Sequence, residues 1–315
     1  MERVLGVVGT FVVDRIVGLR GRSESADELG GLAYTLAGAA AVLPPEWHLL
    51  PLARVGEDAL DVVEDWLIAA GFDTGGIVEV PAPNNRVELR YHDDARRTER
   101  LTGGVGGWDG GDLAASAAEC DALLVNFISG HELTVDAASM VRSAFGGPVY
   151  ADLHSLFLGN GQDGVREPRR LPSWPRWMTC FDTVQLNADE MDLLRGETPV
   201  EAMARRVLAA GPSLLACTQG VDGAVCWSRR DDGSVVKHEI PSYPVDEPDP
   251  TGCGDVWAGV MCCRLLAGDG EPDAARKASR VSAAAAERSG VSGLIRHLRE
   301  VTAAVGEAQT REEDS

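Results

Sequence analysis

Apolar positions along this chain fall into short runs separated by amphipathic stretches. The runs are "RVLGVVG" from Arg3, "HLLPLARV" from His48, "DALLVNF" from Asp121, "GPVYADL" from Gly147, "DTVQLN" from Asp182 and "SLLACT" from Ser213. Each has strand length. Between them apolar residues recur at helical spacing near 31–43, 58–70, 132–144, 188–194 and 199–210. Strands alternating with helices predict β-α-β units and a mostly parallel sheet. In such a sheet ligands gather beyond the carboxyl ends of the strands.

One stretch departs from this pattern. In "NNRVELRYHDDARRTERLTGG" the residues Val87, Leu89 and Tyr91 alternate with Arg86, Glu88, Arg90 and His92. Period two predicts a two-faced strand, and "HDDA" supplies turn residues. The reading is an antiparallel hairpin set apart as a flap, to which "TFVVDRIVGLRG" also contributes. Arg86 and Arg90 share one face. A solvated face explains them, and a contact with an anionic substrate is the sharper alternative.

Composition narrows the function classes. The 315 residues are 44% hydrophobic, enough for one large domain. No apolar run reaches 18 residues, and "MERVLGVVGTFVVDRIV" reads as a buried strand, not a signal peptide. The formal net charge is -20, and the only lysines are Lys237 and Lys277. A nucleic-acid binder needs a positive footprint, so neither nucleic acid nor membrane is an expected partner. A cytoplasmic protein acting on small molecules is expected. The seven cysteines show no C-x-x-C pairing and no metal-site spacing, which predicts reduced thiols and no zinc site.

The chemistry concentrates in "DPTGCGDVWAGVMCC" from Asp249. After Asp255, Val256, Trp257, Val260, Met261 and Leu265 fall at helical spacing, so Gly252-Cys253-Gly254 sits at a helix N-terminus. Free N–H groups, a positive dipole end and glycines that let the backbone approach a ligand make an anion hole suited to phosphate. Asp255 lies in the first turn, where the dipole favours its charged form, as suits a proton acceptor. An acidic first turn after a glycine loop is also an ordinary helix start. No Gly-Lys pair exists for a P-loop, and no G-x-G-x-x-G fingerprint occurs.

"DPTGCGD" resembles the D-T-x-G-A-G-D signature of the PfkB/ribokinase family of small-molecule kinases. The likeness continues in family order through "VVGTFVVD", "GGLAYTLAGAAAVL", "LARVGEDALDVVEDWLIAAGFDT", "QLNADEMDLL" and "ACTQGVDGAVCW". It implies a ribokinase-like, Rossmann-type α/β/α sandwich with a small β-sheet lid. It implies one domain over 1–305, with the lid from about 10–30 and 84–102. A polar, disordered tail would follow at 306–315.

The resemblance also implies phosphoryl transfer from ATP, with Mg2+, to a hydroxyl of a sugar or nucleoside. Asp255 would be the base, and the N–H groups of Gly252, Cys253 and Gly254 the anion hole. Asp14, Gly30, Gly31, Thr35 and Arg86 would face the substrate. Asn187, Glu190, Thr218, Gly220, Gly223 and Ser282 would serve the nucleotide, with Glu190 holding magnesium through water. Asp249 and Thr251 would hold a monovalent cation such as K+. Pairing of lids into a homodimer is implied as well.

Three positions depart from the family pattern. Thr35 stands where the family has a substrate-contacting asparagine. Pro250 removes an N–H from the signature. Cys253 replaces alanine and brings a thiol near the phosphate, where oxidation is an expected liability. Outside the motifs, Asp152 and His154 follow a strand's carboxyl end; a structural hydrogen-bonding role is the plain reading of His154, and a ligand contact the sharper one. Trp174 and Trp177 would pack a Pro-punctuated loop or stack on a planar substrate. Two further readings stay open: a catalytically silent binding relative with a regulatory role, and a kinase of a heterocyclic alcohol.

Overall fold

The computed structural model describes residues 2–17, 27–91, 97–245 and 249–313. In chain order the elements begin with β1 (Arg3–Val8), β2 (Phe11–Val17), β3 (Glu28–Gly31), α1 (Leu32–Val42), β4 (Trp47–Gly56), α2 (Leu60–Ala70), β5 (Ile77–Val80), β6 (Arg86–Tyr91) and β7 (Arg97–Thr102). Then follow α3 (Gly110–Ser116), β8 (Ala122–Asn126), α4 (Val135–Ala144), β9 (Val149–Asp152), β10 (Leu158–Asn160), β11 (Arg166–Pro168), α5 (Trp174–Met178), β12 (Thr183–Asn187), α6 (Ala188–Arg195) and α7 (Val200–Ala210). The chain closes with β13 (Leu214–Thr218), β14 (Ala224–Arg229), β15 (Val235–Ile240), α8 (Cys253–Leu266), α9 (Glu271–Ala286) and α10 (Leu294–Glu313).

Nine strands form the main sheet in the order β15-β14-β13-β12-β9-β8-β1-β4-β5. All pairings are parallel except the two that add β14 and β15 at one edge. Two buried clusters lie on its faces. One takes its helical residues from α1, α2, α8, α9 and α10, the other from α3 to α7. Burial on both faces is why the predicted strands read as continuous apolar runs. The fold is thus the expected α/β sandwich.

The lid is a separate sheet in the order β3-β2-β6-β7. Val12, Val87, Leu89 and Leu101 form its inner face and pack with Ile128. Arg86 lies on the other face, paired with Asp27 at 3.2 Å and Asp58 at 3.1 Å, and Arg90 pairs with Glu88. The "HDDA" turn lies outside the described residues.

Helices α1 and α8 meet backbone to backbone. A Cβ on Gly38 would lie 2.5 Å from the Val256 carbonyl oxygen, and one on Gly259 would lie 2.3 Å from that of Thr35. Helix α10 runs on to Glu313, so the segment read as a disordered tail from 306 is helical in backbone as far as 313.

Candidate active site

Four adjacent parallel strands end side by side. Asn126 closes β8, Asp152 closes β9, Asn187 closes β12 and Thr218 closes β13; Asn126 is paired in register with Asp152, and Asn187 with Thr218. Above these ends two cavities meet at the Asp249–Asp255 loop. One, of about 330 Å3, lies beneath the lid. The other, of about 410 Å3, runs between the end of β13 and helices α8 and α9. They share Thr218, Gly220, Pro250, Cys253 and Gly254.

The loop explains its glycines. Gly252 caps α8 with φ 74°, and a Cβ there would lie 2.3 Å from the Tyr34 ring. Around Gly254 a Cβ would meet nothing within 4 Å, so the backbone opens onto free space. The N–H groups of Gly252 and Gly254 have no internal partner among the described residues, whereas the Cys253 N–H donates to the Pro250 carbonyl at 3.3 Å. The cradle therefore rests more on the two glycines than on Cys253.

Asp255 follows the shared Cys253–Gly254 pair and lines the cavity beneath the lid, where Asn126 Nδ2 donates to its Oδ1 at 2.7 Å. Burial pushes its pKa up to about 6, against the pull of Asn126 and His154. Desolvation thus outweighs the dipole effect expected from the first-turn position. Asp14 is also buried in the cavity wall, raised to about 8 by burial and then by Asp255 and Glu99. Gly30 makes room for that carboxyl: a Cβ there would lie 1.8 Å from Asp14 Oδ2. Gly31, Tyr34 and Glu99 line the same cavity.

The remaining polar groups are tied to one another. Gln185 Nε2 donates to Asp152 Oδ2 at 2.8 Å and to the Gly254 carbonyl at 3.1 Å, while its Oε1 accepts from Tyr150 at 2.7 Å. That bridge fixes the glycine loop to the sheet. Asp152 is raised well above the ordinary range by burial, then by Glu190. Asn187 and Glu190 form a capping box on α6. His154 Nδ1 lies 2.6 Å from Glu190 Oε1. Burial lowers the His154 pKa, but Glu190 and Asp152 outweigh it and hold it at about 9.

In the second cavity Thr218, Gly220, Gly223 and Ser282 stand together as expected. Ser282 Oγ donates to the Cys253 carbonyl at 2.8 Å. Burial pushes the Cys253 thiol up to about 11, so it is protonated at neutral pH and the expected oxidation liability is not supported. Asp249 accepts from the Thr251 N–H at 3.1 Å and from Ser289 at 2.7 Å, and the buried Thr251 hydroxyl has no hydrogen-bond partner among the described residues.

Two residues expected to face the substrate, Thr35 and Arg86, lie outside the cavity lining. Thr35 is fully buried, lies outside the cavity lining, and accepts from Asn126 Nδ2 at 2.8 Å. Its hydroxyl thus meets the same amide that bonds Asp255. Arg86 and Arg90 lie outside the cavity beneath the lid, because the alternation turns Val87 and Leu89 inward. Trp177 is buried against Phe127 and Phe181, and Trp174 meets Arg206, so neither ring lines either cavity. Asn126, Tyr34, Glu99 and Gln185 were given no role by the sequence alone.

Residues 141–297 match the model of the pfkB family carbohydrate kinases. No match among curated proteins reaches significance. Among solved structures, the chain resembles a ribokinase from Giardia lamblia at 16% identity and TM-score 0.73, covering 97% of this chain and 99% of that one. It resembles a Burkholderia thailandensis nucleoside kinase in complex with inosine at 19% identity and TM-score 0.69, covering 91% and 92%. It also resembles an E. coli protein assigned as ribokinase II, in complex with ATP and Mg2+, at 18% identity and TM-score 0.70, covering 96% and 99%. These identities make the structural likeness one of fold. The PfkB/ribokinase resemblance is thereby shown, by the family model over residues 141–297 and by fold along nearly the whole chain.

Proposed function

We propose, on the premise of that family match and fold, that the chain transfers the γ-phosphoryl group of ATP to a hydroxyl of a small polyhydroxy substrate, a sugar or a nucleoside. The observation that carries the reading is the place of Asp255. It lines the cavity beneath the lid next to Cys253 and Gly254, which both cavities share, beside the open N–H groups of the glycine loop, with a pKa near 6. A carboxylate at that pKa is ionised at neutral pH yet basic enough to take a hydroxyl proton. Charge on the transferring group meets the Gly252 and Gly254 N–H groups, so the protein's part is positioning and electrostatic stabilisation.

The substrate in this reading is uncharged. No Lys or Arg lines the cavity beneath the lid among the described residues, while Asp14, Glu99, Asp152, Glu190 and Asp255 do. His154 is the one cation of that lining among the described residues and already faces Glu190, so a phosphorylated or acidic substrate would find no free positive partner there. Asp14, protonated at neutral pH, offers a hydrogen-bond donor as well as an acceptor to a sugar hydroxyl.

Both Glu190 oxygens are already engaged by Asn187 and His154, and no group of three or more His, Cys, Asp or Glu able to hold a metal occurs among the described residues. That fits magnesium carried mainly by phosphates and water, with Glu190 and Asn187 holding its waters. The ion would neutralise phosphate charge. The partnerless Thr251 hydroxyl fits a ligand for a monovalent cation. A cytoplasmic setting and association of two copies through the lid's edge strand β3 complete the reading.

The test is ADP release from Mg-ATP against pooled sugars, sugar phosphates and nucleosides, with wild type and Asp255→Asn side by side. Substrate-dependent release by wild type alone, from the unphosphorylated pools, is expected. Equal release by both forms would overturn the base assignment. ATP binding with no release from any pool would favour the silent-relative reading.

A further inference from the structure

Another large cavity lies elsewhere in the described molecule. It measures about 880 Å3 and lies at the amino end of β4, between the end of α1 and helices α8, α9 and α10. Leu43, Pro44, Trp47 and Phe72 give it an apolar wall. Arg264, Lys277, Arg280 and Arg299 give it a cationic one, and Asp73 is the single carboxylate lining it among the described residues. In a chain of net charge -20 with two lysines, four cations around one cavity are a local reversal of sign.

Two of the four share one carboxylate. Asp269 accepts from Arg264 through two nitrogens at 2.8 Å each and from Lys277 at 2.8 Å. Arg280 and Arg299 have no carboxylate partner among the described residues. The Arg299 Nε donates to the Ala40 carbonyl at 3.2 Å, which seats its stem on α1. The Arg280 guanidinium stands over the Tyr243 ring, 5.7 Å from its centre.

We propose that this cavity is a second ligand site, for an organic anion with an apolar body. The volume is within the usual range of small-molecule sites, about 300–1,000 Å3. The Trp47 and Phe72 side holds the body. Arg280 and Arg299 take the carboxylate or phosphate head with their planar donors. Tyr243 also lines the cavity behind the glycine loop, so an anion that draws Arg280 away uncovers a wall of that cavity. Occupancy of one site is thereby felt at the other.

The test is calorimetric titration with phenyl phosphate and phenylacetate, with benzyl alcohol as the uncharged control, on wild type and Arg280→Gln/Arg299→Gln. Binding of at least one anion to wild type is expected, weakened about tenfold or more in the double variant, with benzyl alcohol binding neither. Unchanged melting of the double variant separates lost binding from lost fold. Absence of binding by both anions at millimolar concentration overturns the site, and so does equal affinity in the double variant, which would place the anion at the glycine loop. With anion bound, ATP affinity of the wild type should shift about fivefold or more and that of the double variant should not. An unshifted wild type overturns the link through Tyr243.

Discussion

The cavity beneath the lid and the cleft behind the glycine loop share five residues but hold different chemistry. Beneath the lid, five carboxyl groups and His154 converge, and burial shifts several of them. Behind the loop the lining is glycine, small polar and apolar residues, with Tyr243 and Cys253 as its only titratable side chains among the described residues. One side presents ionisable groups, the other backbone and shape. Substitutions on the first should appear in rate and pH dependence, and on the second in nucleotide affinity.

The largest break in that contrast comes from Asp255→Asn. Turnover should fall by about 10²–10⁴-fold, with nucleotide affinity and melting temperature nearly unchanged. A matching loss of stability would make Asp255 a structural residue. The pH profile follows in size: below about 6 kcat/KM should drop toward tenfold per unit as Asp255 protonates, then level off above it. A flat profile from pH 5 to 8 would detach the rate from this carboxyl.

Gly252→Ala and Gly254→Ala sharpen the boundary itself. The first puts a side chain at positive φ, costing about 1–2 kcal/mol, and adds a collision with Tyr34. It should lower the melting temperature. The second enters open space, so the fold should hold while KM for ATP rises. Equal destabilisation by both would blur the distinction between the loop's two glycines.

Asp14 gives a quieter test, because its carboxyl titrates near 3.8 in the unfolded chain and near 8 in the folded one. The folded state holds the extra proton between those values, so stability from this group is full below about 4 and lost as pH rises toward 8. The melting temperature of Asp14→Asn should therefore gain on the wild type between pH 5 and 8. Smallest of all, Arg86→Ala should leave substrate KM unchanged and cost under about 1 kcal/mol, as expected for exposed ion pairs with Asp27 and Asp58.

The six apolar runs all became strands, because burial on both faces writes itself as unbroken hydrophobicity. The strands β14 and β15 were not read; they form an antiparallel pair at the sheet's margin, where β15 is the edge and is largely unburied along its length. Within the site, the glycine loop, Asn187 and Glu190 were legible since their spacing follows local capping geometry. Asn126 and Gln185 were not, because each matters through a contact between strands and a helix far away in the chain. Period two showed that β6 has two faces, and only the lid's packing decides that Val87 and Leu89 turn inward. Thr35 stood at the right count from Gly30, yet the tight seat of α1 on α8 turns it from the cavity to Asn126.

That seat has a consequence for turnover. Gly38 and Gly259 leave α1 and α8 no side chains to slide on, so the proposed base cannot travel separately from the floor of the substrate cavity. Any movement of the lid strands would then be a movement relative to a fixed carboxylate, and not one shared by the helix that carries it.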